Sequence, residues 1–196
     1  SNVTLHNQDE IDRKDIRLGD KVLIERSGDV IPKIVKVIER ENQNSLKFKI
    51  DNLCPSCGQK TMKQNDEAII RCNNFYCPSQ VLGRIQHYCS KLAMNIEGLG
   101  EKIVEQLIEN KLVKNIDDLY LIKKNEISKL DGLGERSAEN IIDSINNSKE
   151  TTFSKFVYAL GIRNVGEHTS KLLEKKFKGD MDRFKNATET ELLEID

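Results

Sequence analysis

Four cysteines could hold a metal ion. Cys54, Cys57, Cys72 and Cys77 follow the order C-x2-C-x14-C-x4-C, which places two thiolate pairs on two tight turns joined by a segment long enough to fold back. Zn²⁺ has no geometric preference of its own and accepts a tetrahedron of four thiolates. All four ligands come from the protein, so no position is left for a reacting water. The spacing therefore predicts a structural zinc site and no catalysis by the metal.

The alternative for the same cysteines is a pair of disulfides in a small secreted domain. The sequence shows no signal peptide, and only Cys89 lies outside the cluster. Both features are atypical of disulfide-rich secreted domains, so zinc is favoured. Cys89 lies on a helical pattern and is predicted to be a small core residue. Pro78, which follows the last ligand, is expected to stop regular structure there.

A second group of residues could bind phosphate. Three short loops carry an apolar residue between two small ones: Gly98-Leu99-Gly100, Gly132-Leu133-Gly134 and Asn164-Val165-Gly166. Their first positions are separated by 34 and then 32 residues, and each loop precedes a helical pattern. Asn can replace Gly there because it enters the left-handed backbone region more easily than most residues. The pattern predicts three repeated helical hairpins, with a fourth interrupted at Asp196, which matches Asp131.

The chemistry of such a loop follows from the helix that it starts. The first backbone N–H groups of a helix are unpaired, the helix dipole favours an anion, and glycine lets a phosphate approach the main chain. Phosphate contacts of this kind carry no base information. An ordinary hairpin whose glycines only cap helices is the alternative, and the threefold recurrence favours duplex DNA. The predicted DNA-binding residues are Gly98, Gly100, Lys102, Gly132, Gly134, Arg136, Asn164 and Gly166.

The helical hairpins and the cysteines follow a β-rich segment. Lys21–Arg26 and Val30–Ile38 are rich in Val and Ile, and residues 27–29 predict a short turn between them. Pro32 suggests an edge or a bulge. Two strands are too few to close a barrel alone, so residues 1–50 are predicted to be the later part of a small β-barrel. From Val81 onward the pattern is helical.

Composition limits the class of function. The net charge is −1 with 32% charged residues, so a nucleic acid would have to be held by local geometry and not by an overall field. An aromatic fraction of 5% without Trp argues against a stacking platform for single strands. The apolar runs are too short to span a bilayer. We therefore expect a soluble, cytoplasmic monomer without a membrane partner, and no catalytic residue can be assigned within this chain.

Taken together, these segments resemble the bacterial NAD⁺-dependent DNA ligases. Val3–Pro32, with its TLHN, D-I-R-L-G-D and G-D-V-I-P stretches, is similar to the OB-fold segment of that family. CPSCG and RCNNFYCPSQ resemble its four-cysteine zinc finger, and Ala93–Lys102 and Ala159–Glu167 resemble parts of its helix-hairpin-helix domain. The resemblance covers nearly the whole chain. Asn95 departs from the Asp that is frequent in the family, which affects neither a metal ligand nor a hairpin glycine.

The resemblance implies a multidomain α+β protein. Its parts would be a partial OB-fold β-barrel at 1–50, a four-cysteine zinc finger at 51–80, and an all-α helix-hairpin-helix domain at 81–196. Family members seal nicks in duplex DNA during replication and repair, using NAD⁺ to adenylate a lysine in a K-x-D-G motif and Mg²⁺ to assist the later steps. The adenylation domain is expected upstream of this chain, which would grip nicked duplex DNA and be inactive alone.

One stretch, Lys129-Leu130-Asp131-Gly132, spells K-x-D-G itself. Because Gly132 belongs to the second hairpin loop and no nucleotide-binding β domain surrounds it, the stretch is interpreted as hairpin and Lys129 is not expected to be adenylated. Two alternatives to the ligase stay open at this point. One is a non-enzymatic helix-hairpin-helix module of a repair or junction-processing protein, and the other is a scaffold without a nucleic-acid role.

Overall fold

The computed structural model describes residues 2–26, 31–42, 44–63 and 67–195. The chain divides into two compact units, Ser1–Cys77 and Pro78–Asp196. The first is a mixed α/β unit that contains the four-cysteine segment, and the second is all-helical. This agrees with the predicted multidomain α+β class. None of the helices in the described ranges is long and apolar enough to cross a membrane.

The first unit begins with a helix, α1 (Gln8–Arg13), where only β structure was expected. The side chain of Asn7 accepts a hydrogen bond of 2.9 Å from the backbone N–H of Glu10, and Asp9 and Glu10 lie in the first turn. An Asn N-cap followed by acidic residues is a helix-start signal. The Asn side chain accepts a hydrogen bond from a first-turn N–H, and the acidic side chains interact favourably with the positive end of the helix dipole. The sequence therefore contained the signal, and the expectation of β structure alone was wrong.

The strand pair agrees with the sequence pattern. β1 (Lys21–Glu25) and β2 (Lys33–Glu39) pair antiparallel, and their register shifts at two places. Pro32 lies just before β2, outside the ladder, and its carbonyl accepts a hydrogen bond of 3.1 Å from the N–H of Thr4. The predicted turn at 27–29 and Val30 lie outside the described residues. Ile11, Ile16 and Ile34 are the buried centre of this small core.

A charged cluster supplements that core. The Arg40 guanidinium donates to the carboxylates of Asp15 at 2.8 Å and Asp20 at 2.9 Å, and also to the backbone carbonyl of Asp15. The side chain of Asp20 is 1% exposed and also accepts the backbone N–H of Arg17 at 2.8 Å. Hydrogen bonds from Arg40 lower the pKa of Asp15 to about 2 and lower the pKa of Asp20. Arg40 therefore holds together the entry to β1 and the end of β2.

Replacing Arg40 by Met is expected to lower the urea midpoint of the first unit at pH 7, because the enclosed Asp20 carboxylate loses its partner. A lowered folded-state pKa stabilises the fold above the unfolded-state value, which is about 4 for Asp. The urea midpoint of wild type should therefore exceed that of Arg40→Met by its full amount above about pH 4. This excess should shrink as the pH falls toward about 2, the folded-state pKa of Asp15.

The matched control is Lys36→Met, an exposed residue of β2 for which the described residues offer no ion pair. Both variants remove one positive charge and add the same side chain. Equal midpoints for the two variants would show that the cluster does not stabilise this unit. Acid also protonates the zinc ligands, so each variant should be compared with wild type at the same pH, where this loss is common to both.

The second unit consists of paired helices. In chain order these are α2 (Pro78–Cys89), α3 (Glu101–Glu109), a 3₁₀ helix (Asp117–Tyr120), α4 (Lys124–Ile127), α5 (Glu135–Asn147), α6 (Phe153–Ala159), α7 (Glu167–Phe177), α8 (Met181–Lys185) and α9 (Glu189–Leu193). The pairs α2–α3, α4–α5 and α6–α7 are in contact. Pro78 starts α2 and does not stop regular structure, because proline is well suited to the first turn of a helix.

Two apolar cores hold these pairs. The larger one is formed by buried residues from Val81 to Ala159, including Val104, Leu107 and Ile141. The smaller one is centred on Phe153, Val157, Leu173 and Phe177. The sequence-based assignment of Cys89 to a core is confirmed, since it is 4% exposed in the larger cluster and burial raises the pKa of its thiol to about 12.

The last helix, α9, begins in the same way as α4. In α4 the carboxylate of Glu126 accepts the N–H of Lys123 at 2.8 Å, and in α9 Glu191 accepts the N–H of Thr188 at 2.9 Å. These two glutamates are 65 residues apart, at the same position of their helices. α9 thus has the start of α4, the first helix of the second hairpin. A fourth hairpin near Asp196 stays a prediction.

Candidate functional site

The four predicted metal ligands lie together. All four Sγ atoms are within 4.8 Å of one another, with 3.8 Å between Cys54 and Cys77 and 3.6 Å between Cys57 and Cys72. A tetrahedron with Zn–S bonds of about 2.3 Å separates its sulfurs by about 3.8 Å. The donor set is therefore of the right kind and size for Zn²⁺.

Local backbone structure brings the sulfurs to this point. In the first turn, Gly58 adopts φ +69° and its N–H donates to the carbonyl of Cys54 at 2.8 Å. Two short antiparallel strands, β3 (Thr61–Lys63) and β4 (Ile70–Cys72), carry the chain back so that Cys72 lies opposite Thr61. A hydrogen bond from the backbone N–H of Gln59 lowers the pKa of Cys57, whereas burial and the neighbouring thiols raise the pKa of Cys72 to about 12 despite the backbone N–H of Asn74.

The segment around the cysteines has little core of its own. Ile70 of this segment is half-buried, but five other apolar side chains in it are exposed by 45% or more: Leu53, Met62, Ile69, Phe75 and Tyr76. Among residues 51–63 and 67–77, only Cys54 and Cys77 are buried. A metal ion bound by four cysteines supplies the cohesion that such a small segment lacks. The site is a structural zinc site.

The three predicted loops share one backbone geometry. The first residue of each is left-handed, with φ +86° at Gly98, +77° at Gly132 and +63° at Asn164. The third residue of each is the N-cap of the helix that follows, namely α3, α5 or α7. The central residues pack inward, with Leu99 buried and Leu133 and Val165 half-buried. The predicted exchange of Gly for Asn and the predicted hairpin architecture are confirmed.

The N-caps of these loops differ from those of four other helices in the chain. Asn7, Thr152, Asp180 and Thr188 cap α1, α6, α8 and α9 with side-chain oxygens. The N-caps of α3, α5 and α7 are Gly100, Gly134 and Gly166, and no side chain among the described residues caps these helices. The N–H groups of the first turn are therefore available to an external acceptor at these three helices.

Neither conformation nor packing within the described chain requires glycine at these N-caps. Gly100, Gly134 and Gly166 have φ values of −74°, −117° and −84°, which any residue adopts. A Cβ built on any of the three would meet no described atom within 4 Å. Glycine thus keeps the space beside the helix start open. That is the geometry needed by a phosphate that approaches the backbone closely.

Gly98 is different. A Cβ there would lie 2.6 Å from Cγ1 of Ile141, so both its φ and its packing require glycine. Gly132 has free space but a left-handed φ. A bulky residue at Gly98 would therefore disturb the helices as well as any phosphate site. A substitution at Gly98 would first displace α5.

Charge at the helix starts is mixed. Each of the three helices begins with an exposed Glu followed by an exposed basic or titratable residue: Lys102, Arg136 and His168. His168 was not predicted, although its position two residues after Gly166 matches the other two and could have revealed it. Lys171, the first lysine of α7, forms an ion pair with Glu167 at 2.6 Å. The phosphate-binding capacity of these sites therefore comes chiefly from backbone N–H groups, with a flanking cation at the first two helices.

The K-x-D-G stretch belongs to the second hairpin, as expected. Leu130 is buried, and both backbone groups of Asp131 are hydrogen-bonded to the side chain of Gln106 on α3. Gly132 is the left-handed first residue of the loop. This arrangement explains the motif as hairpin structure and gives Lys129 no catalytic surroundings.

Family comparisons cover most of the chain. Residues 1–46 match the NAD-dependent DNA ligase OB-fold domain, and residues 54–78 match the NAD-dependent DNA ligase C4 zinc finger domain. Residues 90–147 match a SAM-like helix-hairpin-helix tandem, and residues 155–196 match a helix-hairpin-helix motif.

Curated relatives match the chain from end to end. A DNA ligase of Geobacter metallireducens is 48% identical and one of Geobacter sulfurreducens is 47% identical, each over 196 residues, which is all of this chain and 29% of the relative. A DNA ligase of Thermodesulfovibrio yellowstonii is 48% identical over 179 residues. The chain thus spans about 29% of the length of the relatives it matches in full. The chain has OB-fold, C4 zinc finger and helix-hairpin-helix regions in this order. It is a segment of a protein of the NAD-dependent DNA ligase family.

Proposed function

We propose that this chain is the part of a DNA ligase that grips duplex DNA by its backbone. The observation that carries the proposal is the set of three glycine N-caps, Gly100, Gly134 and Gly166. Neither φ nor packing among the described residues explains them, and they leave three helix starts open to an anion.

Each loop would hold one phosphate against the first-turn N–H groups of its helix. The left-handed residues Gly98, Gly132 and Asn164 turn the chain into that position, and Lys102, Arg136 and His168 flank it. These contacts read no bases, so the chain would bind duplex DNA of any sequence. This suits an enzyme whose substrate is defined by a break in the backbone.

The finer features of the function are part of the same proposal. The partner is nicked double-stranded DNA, and the chain acts as a monomer in the cytoplasm, where that DNA lies. NAD⁺ and Mg²⁺ serve steps carried out by residues outside this chain. The OB-fold segment helps to place the adenylated lysine of the whole enzyme at the nick. The domain limits remain 1–50, 51–80 and 81–196.

Titration of the 196-residue chain with a labelled duplex over a range of salt concentrations tests the proposal. If each loop neutralises one phosphate, log K should fall against log salt with a slope of about −3. Intact and nicked duplexes of one sequence should both bind, and tighter binding of the nicked one would support the finer proposal. Failure to bind either duplex at low salt would overturn it. Labelling of Lys129 by radioactive NAD⁺ would contradict its assignment to the hairpin.

A further inference from the structure

The first two loops are each held by a helix of the other hairpin. Glu97 precedes Gly98 in the first loop, and its backbone N–H donates to Oγ of Ser144 on α5 at 2.7 Å. Asp131 precedes Gly132 in the second loop. Its N–H donates to Oε1 of Gln106 on α3 at 2.7 Å, and its carbonyl accepts from Nε2 of the same amide at 3.2 Å. The arrangement is reciprocal, since α3 follows the first loop and α5 follows the second.

Packing reinforces the same link. Gly98 lies directly against Ile141, which is 2% exposed on α5, one turn before Ser144. Gly98 and Leu133 also line one groove along α5, together with Ile141 and Ser144. The position of the first loop is therefore set by the helix that the second loop starts.

These hydrogen bonds are placed to orient the loops more than to stabilise the fold. Gln106 and Ser144 are half-exposed, and their bonds lie at the surface, where water competes for the same groups. Such bonds contribute little to the stability of the whole unit. Each, however, fixes the peptide just before a left-handed residue, which is the point where the direction of the loop is determined.

We propose that Gln106 and Ser144 are positioning residues that lock the loops at 98–100 and 132–134 into one two-phosphate clamp. The inference rests on the proposed DNA binding and adds how the two sites are coupled. A fixed spacing between the loops means that the second phosphate binds without a further ordering cost. If the loops were independent, each contact would have to order its own loop.

The variants Gln106→Ala and Ser144→Ala test this clamp. Each should weaken binding of a 20-bp duplex about threefold to tenfold, the amount associated with one net hydrogen bond. The salt slope should become shallower by about 0.9 if one loop no longer holds its phosphate. Amide exchange at Asp131 and Glu97, respectively, should be faster in the two variants. The measurements should be made well below the melting temperature, which should change little.

Two further variants provide controls. Ser144→Thr keeps the hydroxyl and should bind as wild type does. Asn140→Ala removes an exposed polar group from α5 that makes no side-chain hydrogen bond within the described residues, and it should also bind normally. Wild-type affinity and slope in Gln106→Ala and Ser144→Ala would overturn the clamp while leaving the proposed function intact. Absence of salt-dependent binding by the wild-type chain would overturn both.

Discussion

Removal of zinc is expected to unfold the segment around residues 51–77 while the helices of the second unit stay folded. The two strands of this segment, β3 and β4, have three residues each, and most of its large apolar side chains are exposed. Binding of a structural zinc to four thiolates contributes about 10–16 kcal/mol in small zinc peptides. Three residue pairs in a ladder cannot replace that contribution. The helices of the second unit have their own apolar cores and need no metal.

The measurement is thermal unfolding followed by circular dichroism with and without a zinc chelator. Chelation should abolish the contribution of residues 51–77 to the unfolding transition, and zinc should restore it. Cys72→Ser should have the same effect without chelator, because three thiolates and a hydroxyl bind zinc weakly. Cys89→Ala is the matched control, since this cysteine is buried in the helical core and should leave one zinc per chain. An unchanged transition after verified loss of metal would contradict a structural role for the ion.

The parts of the site that the sequence predicted correctly depend on short spacings. The four cysteines converge because two tight turns and one reversal are enough to bring them together. The three loops could be recognised because left-handed backbone restricts the residue type, and Asn164 obeys the same restriction as Gly98 and Gly132. The recurrence of the loop three times along the chain made the pattern recognisable from sequence alone.

The parts that were missed depend on contacts between distant residues. The close packing that excludes a side chain at Gly98 comes from Ile141, 43 residues away, which no local pattern indicates. The attachment of Asp131 to Gln106 likewise requires knowledge of how α3 lies beside the second loop. By contrast, α1 and the helix-starting role of Pro78 had local signals that were outweighed by the surrounding pattern. The helix signal of α1 was outweighed by the β-rich sequence around it. The helix signal of Pro78 was outweighed by the expectation that the zinc turn ends there.

Replacing all three N-cap glycines by serine is expected to change stability and DNA binding in opposite directions. Serine is a better N-cap than glycine by a few tenths of a kcal/mol, because its hydroxyl accepts a first-turn N–H. Gly100, Gly134 and Gly166 have extended backbone and free space, so the change should cost no strain. The triple variant should therefore be as stable as wild type or more stable, by about 1 kcal/mol at most.

The same serines should weaken duplex binding strongly. Each one places a side chain where the phosphate would approach and engages an N–H that the phosphate would use. Hydrogen bonds to a charged group are worth about 1.5–3 kcal/mol, so each loop should lose roughly tenfold to hundredfold in affinity. The salt slope should become shallower by about 0.9 per loop. Gly83→Ser is the matched control, because Gly83 is exposed on α2, has free space around it and belongs to none of the loops.

The opposite signs are what distinguish the two explanations of these glycines. If they only cap helices, serine should improve the caps and leave DNA binding unchanged, since nothing outside the chain would contact them. If they keep space open for phosphate, the improved caps should come with lost affinity. A variant at Gly98 could not separate the explanations, because its contact with Ile141 would lower stability and binding together. Wild-type affinity in a well-folded triple variant would therefore show that the duplex is gripped elsewhere.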